Sequence, residues 1–385
     1  MDLSRRSLLS RAGLIGCSFA ASPLLTPVTL ASAPWTTRLV VIILRGGMDG
    51  LDVVRPVGDP AFAALRPKLN AGPPGLDLDG FFALHPALAD LMPWWHQGAL
   101  GFVHAVSTPY RDKRSHFDGQ DILEAGTNSL TADASGGWLN RMLQQLRGVE
   151  TETAYAIGSN DLRILEVAAP VANWTPDANL RLSAQALRLA ELVMEDDPAL
   201  HAALAEAQIL SAAGQTSSKG PAHSKIADFA AARLNGAARV AAFSLGGWDT
   251  HQRQAQALPR SLSRLADTLL RLKAGLAPGV WDQTAIVAMT EFGRTARENG
   301  TGGTDHGTAG LMLLAGGAIK GGQIMGRWPG VAAADLYQER DLMPTQDVRA
   351  PAAWILRGLA GLDQTTLETS VFPGLEMGQD AKLLR

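Results

Sequence analysis

Five short apolar runs constrain this chain more than any other feature: Leu39–Leu44, Gly101–Val106, Val240–Leu245, Thr284–Met289 and Gly310–Leu314. A strand with one face in water alternates apolar and polar residues, whereas a strand covered on both faces reads as a continuous apolar run. Each run gives way to glycine or polar residues, and Leu258–Leu276 and Ala350–Leu362 carry apolar residues at helical spacing. This alternation predicts a three-layer α/β/α sandwich around a mostly parallel sheet. Such sheets bind ligands at the carboxyl ends of their strands. Gly, Asp, Glu, His and Ser concentrate at those positions here, and the 40 glycines among 385 residues exceed the usual share of about 7%.

Residues 1–33 read as a targeting segment. Ser4-Arg5-Arg6-Ser7-Leu8-Leu9 places paired arginines ahead of the apolar stretch Leu14–Leu30, and Ala31-Ser32-Ala33 offers a small-x-small cleavage site. Ser18, Ser22, Pro23 and Pro27 interrupt the stretch, which argues against a permanent span of ~20 apolar residues. Leu14-Ile15-Gly16-Cys17 allows a second reading, a lipoprotein box acylated at Cys17. The twin-arginine translocase, which carries folded proteins, is the expected export partner, and the periplasm or the exterior the expected location. Cys17 is the one cysteine, so the remaining chain has no disulfide and relies on its core. Cleavage after residue 33 removes Arg5, Arg6, Arg11 and Asp2 and takes the formal net charge from −3 to −5. With no basic tract, nucleic acid is not an expected partner. Residues 34–385 read as one domain, with a cap or insertion around 150–224.

Four post-strand loops carry the chemistry-bearing residues. They are Arg45-Gly46-Gly47-Met48-Asp49-Gly50-Leu51-Asp52, Arg114-Ser115-His116-Phe117-Asp118, Gly246-Gly247-Trp248-Asp249-Thr250-His251, and Thr290-Glu291-Phe292-Gly293-Arg294-Thr295 followed by Gly303-Thr304-Asp305-His306-Gly307. Each has an ordinary structural explanation. Asp49 suits a glycine-rich turn, Ser115 a helix N-cap with Asp118 three residues on, and Asp249 the cap of a following helix. Glu291 and Arg294 suit an intrahelical ion pair, His306 a hydrogen-bonded loop histidine. Taken together, Asp49, Asp249, His251, Glu291 and His306 are oxygen and nitrogen ligands suited to Zn, Mn or Mg. Ser115 would gain acidity at a helix N-terminus, and Arg45, Arg114 and Arg294 could neutralise an anion. This is equipment for displacement at phosphorus or sulfur.

These motifs resemble, in order and content, the family known as domain of unknown function 1501, a branch of the alkaline phosphatase/sulfatase superfamily. The likeness runs from about residue 38 to 374 and suits a twin-arginine leader. It implies Asp49 as the metal-binding Asp ahead of a glycine, Ser115 as the nucleophile opening a helix, and Asp249 with His251 as a ligand pair. It also implies His306 as the final histidine ligand. Where the superfamily has Asp-His-Gly, this chain has Glu291-Phe292-Gly293. The acid is kept and the histidine is lost, which leaves one ion, two, or none.

The expected activity is metal-dependent hydrolysis of a small anionic ester, phosphate or sulfate, with Arg114 or Arg294 stabilising charge and His116 moving a proton. The alternative is a non-catalytic envelope module for binding or assembly with a degenerate site. A nucleotide or flavin is not expected, because Arg45-Gly46-Gly47-Met48-Asp49-Gly50 lacks the Gly-x-Gly-x-x-Gly spacing. Trp138, Trp174, Trp248 and Trp328 read as packing residues, Trp248 also as a pocket wall.

Overall fold

The computed structural model describes residues 35–111, 113–130, 135–158, 162–176 and 220–385. The leader read over 1–33, including Cys17, lies outside the described residues.

A nine-stranded sheet forms the centre. Its strands are β1 (Arg38–Arg45), β2 (Leu100–Ser107), β3 (Ala154–Ile157), β4 (Ala172–Trp174), β5 (Val240–Gly246), β6 (Thr284–Met289), β7 (Gly310–Ala315), β8 (Ile324–Met325) and β9 (Gln346–Asp347). The order is β8-β2-β7-β6-β1-β5-β3-β4, with β9 beside β2. Helices α1 (His116–Ala125), α2 (Trp138–Gln144), α3 (Ala222–Leu234), α4 (Gln254–Gly275) and α5 (Arg349–Ala360) accompany it. A small antiparallel sheet joins Val54–Arg55, Ala83–Leu84 and Leu76–Asp77.

The residues of β1 show why the layers form. Val40, Ile42 and Leu44 pack into one core with α3 and α4, while Leu39, Val41 and Ile43 pack into the opposite core with α2 and α5. Helix α4 meets the first core along Leu258, Leu262, Leu265, Leu269 and Leu272, all fully buried, at the spacing of one helical face.

The sheet is mainly parallel, with one departure. Strand β7 runs antiparallel to both β6 and β2, although the five runs read alike in sequence. A parallel return needs a crossover of a dozen residues or more, usually helical. Residues 290–309 contain no helix and turn the chain straight back. That turn carries Glu291, Arg294 and His306.

Strand register then decides what meets. Arg45 stands opposite Gly246, and Ile43 opposite Met289. The first residue of β7, Gly310, pairs with Val106 near the end of β2. The carboxyl ends of β1, β2, β5 and β6 therefore share one edge. Within the interval 150–224, β3 and β4 belong to the central sheet, and 159–161 and 177–219 lie outside the described residues. Among the described residues no helix is long and apolar enough to cross a membrane.

Candidate metal centre

Two glycines let the loops close on this edge. Gly46 has φ +124°, and a Cβ there would lie 2.6 Å from the Asp249 backbone nitrogen. A Cβ on Gly303 would lie 2.3 Å from the His251 carbonyl carbon. Distances under about 3 Å are not tolerated by real side chains, so glycine is required at both approaches.

Three histidines meet at the Asp249 carboxylate. His251 Nε2 is 3.1 Å and His306 Nε2 3.2 Å from Oδ1, and His116 Nε2 is 3.4 Å from Oδ2. His116, Asp249 and His306 each present a ligand atom within 4.8 Å of the others. Every imidazole is fixed from behind. His116 Nδ1 lies 2.7 Å from Glu291 Oε1, His251 Nδ1 2.9 Å from Asp305 Oδ1, and His306 Nδ1 2.8 Å from the Arg114 carbonyl. These acceptors call for an N–H on each Nδ1; a neutral ring then keeps a lone pair on Nε2 for a cation, whereas a protonated ring donates from Nε2 to the Asp249 carboxylate, as His306 does at 3.2 Å.

That arrangement is the test of fit for a cation. His251 Nε2 and His306 Nε2 stand 2.8 Å apart. Two lone pairs at that distance repel unless a proton or a metal ion sits between or beside them. Among the described residues His116 Nε2 is buried without a hydrogen-bond partner, an expensive state for a polar atom. Carboxylate or carbonyl acceptors behind ligating imidazoles are the usual outer support of a metal site. The donors present, three imidazoles and a carboxylate, suit Zn or Mn better than Mg, which prefers oxygen.

Electrostatics follows the same geometry. The His116 pKa is raised, chiefly by its hydrogen bond to Glu291. That of His306 is lowered by burial, which favours the neutral, ligating ring. Burial pushes Asp249 upward, but the Arg294 guanidinium and the neighbouring histidines outweigh it and the carboxyl ends below its ordinary value. Glu291 is likewise held low against burial by His116, Gln120 and the Gly46 amide.

The remaining residues singled out in the sequence take varied places. Glu291 is fully buried behind His116 and also accepts from Gly46 N at 2.8 Å. Residues 291–295 are not helical, so Glu291 and Arg294 form no intrahelical pair. Arg294 is buried and donates to Asp249 Oδ1 at 2.6 Å and to the carbonyls of Gly46, Gly47, Trp248 and Thr304. Ser115 caps α1, its Oγ accepting from Asp118 N at 3.4 Å. Arg114, 31% exposed, sits at φ +54° and reaches Asp341 at 3.6 Å. Asp249 is not a helix cap, since α4 begins at Gln254. Asp49 stands apart from the histidines: its Oδ2 accepts from Arg66 at 2.7 Å and from Gln254 at 2.6 Å. Arg45 binds Gln120 and Glu124. Trp248 is wholly buried. Phe292, at the position of the missing histidine, stacks at 5.0 Å on His116 and lies 5.0 Å from His306.

The sequence motifs include Asp305 without giving it a role, and Gln254 escaped them. Asp305 adjoins His306 within one motif, a usable signal. Gln254 has none, because its partner Asp49 lies 205 residues away.

A family model described as protein of unknown function (DUF1501) matches residues 36–353. No curated protein matches the sequence. Similar solved structures include a protein in the alkaline phosphatase superfamily from Vibrio parahaemolyticus, 13% identical, covering 98% of this chain and 80% of that one at a TM-score of 0.39. The lipoteichoic acid synthase LtaP from Listeria monocytogenes is 9% identical over 92% of this chain and 80% of its own, TM-score 0.39. The C-terminal periplasmic domain of EcEptC from Escherichia coli is 11% identical over 92% of each chain, TM-score 0.39.

Proposed function

The chain belongs to the DUF1501 family of proteins of unknown function, and from the site it carries we propose an exported, metal-dependent hydrolase of phosphate or sulfate esters. The observation behind this reading is the meeting of three Nε2 atoms with Asp249, each imidazole fixed from behind. His116, His251, His306 and Asp249 would hold the ion. Phe292 lines the same space with an aromatic face, so the donors supply one cation rather than two. When bound, that ion supplies Lewis acidity toward an ester oxygen.

The chain's own groups do the rest. Ser115 Oγ, at the N-terminus of α1, forms a bond to phosphorus or sulfur as the ester bond breaks. The alcohol departs carrying a proton, and water then releases the anion and restores the hydroxyl. Arg114, partly exposed and paired at 3.6 Å with Asp341, would turn its guanidinium to the transferred group. Arg294, without solvent exposure, serves by holding Asp249. Export through the twin-arginine route is part of the same proposal and rests on residues 1–33.

A second reading, a non-catalytic envelope module, is favoured by Phe292 and by the Arg294 guanidinium sitting 2.6 Å from Asp249 Oδ1, where it competes with a cation. Hydrolysis of an aryl phosphate and an aryl sulfate by the exported chain, with Zn or Mn supplied, separates the two. An enzyme turns over at least one ester, and Ser115→Ala lowers that turnover by orders of magnitude. A chain that binds metal yet cleaves neither ester is the module.

A further inference from the structure

Behind the histidines lies a second, fully enclosed polar cluster centred on Gln254, which has no solvent exposure. Its amide nitrogen donates to Asp49 Oδ2 at 2.6 Å and to Asp52 Oδ2 at 2.9 Å. Its amide oxygen accepts from Thr250 Oγ1 at 2.9 Å and from Thr304 Oγ1 at 2.7 Å. The orientation of the amide is dictated by its partners, since ionised carboxylates can only accept.

The two threonines belong to the loops that carry the histidines. Thr250 separates Asp249 from His251, and Thr304 stands two residues before His306. Their backbones are also joined, Thr304 N donating to Thr250 O at 3.1 Å. The two carboxylates are anchored in turn. Asp49 pairs with the buried Arg66 at 2.7 Å, whose Nε and Nη2 donate to the carbonyls of Ala296 and Thr295. Asp52 pairs with Arg55 at 2.8 Å.

We infer that Gln254 is a positioning residue for the metal centre, fastening the backs of the His251 and His306 loops to Asp49 and Asp52 so that both rings reach Asp249. The inference rests on the metal-binding reading proposed above. It gives Asp49 a part in the site through Gln254. An amide is the one side chain that donates twice and accepts twice across such a gap. A carboxylate at 254 would face two others, and an apolar group would release both hydroxyls. Partners bonded directly to ligating groups typically govern metal affinity by about tenfold to a hundredfold; Gln254 acts one bond further out, through Thr250 and Thr304, so the lower end of that range is expected.

The test uses the full mature chain, zinc alone as the probe, and competition with a chromophoric chelator, with the melting temperature of the metal-free protein recorded beside each dissociation constant. Gln254→Met is expected to bind zinc about tenfold more weakly. Thr304→Val, which keeps the shape but not the hydroxyl, weakens binding in the same direction, and Thr304→Ser restores it. If Gln254→Met does not fold, the Thr304 pair decides. Variants that melt lower yet bind zinc as tightly as the parent chain overturn the positioning role and leave the metal centre standing. A parent chain that takes up no zinc overturns both.

Discussion

At the scale of single residues, the site is a carboxylate ringed by imidazoles whose far nitrogens are spoken for. Glu291 illustrates how much depends on that outer support. Glu291→Gln keeps the shape but weakens the grip on His116 Nδ1, and we expect zinc affinity to fall about tenfold to a hundredfold with fold retained. Unchanged affinity in a chelator titration would contradict the role. Asp249 and His251 stand in a motif a few residues past β5, and the sequence singles out His306 just before β7 and His116 at the start of α1, the last as a proton carrier and not as a ligand. Asp49 shows the limit of such reading. An Asp-Gly step beyond a strand has the local look of a ligand, and only the fold reveals Arg66 and Gln254 on its carboxylate.

Among the elements, β1 was readable from one run of apolar residues, because burial on both faces leaves no polar positions to confuse the pattern. The direction of β7 was not, since its reversal follows from a connection lacking a helix and not from any residue in the strand. Replacing Ile42, wholly buried in β1, by alanine is expected to cost about 2–5 kcal/mol of stability. Zinc affinity of the folded variant should stay unchanged; a parallel loss of affinity would show that the sheet itself shapes the site. Glu124 on α1 offers a pH test. Burial raises its pKa to about 7 against the pull of Arg45, with Asp121 and Glu166 adding to the rise and the Ile164 amide opposing it. The unfolded carboxyl titrates near about 4.3, so the folded chain holds the proton more tightly. This group's contribution to stability is therefore present below about pH 4 and lost as pH climbs to about 7, a change of about 4 kcal/mol. Glu124→Gln removes that loss, and denaturant midpoints should favour the variant increasingly from pH 5 to pH 8. A constant difference across that range would count against it.

For the whole molecule, the sheet edge gathers the ends of β1, β2, β5 and β6, and the meeting of His116, His251 and His306 with Asp249 follows from that gathering. A cation bound by the folded chain alone must stabilise it, by about 2.7 kcal/mol when present at a hundred times its dissociation constant. Scanning calorimetry with and without zinc should show that upward shift in the parent chain and none in Asp249→Ala. The most direct measurement is the metal content of the chain purified from its native compartment, alongside Asp249→Ala made in the same way. About one zinc or manganese ion per parent chain and none in the variant is the expected result; a parent chain free of metal, or a variant that keeps it, would contradict the metal centre.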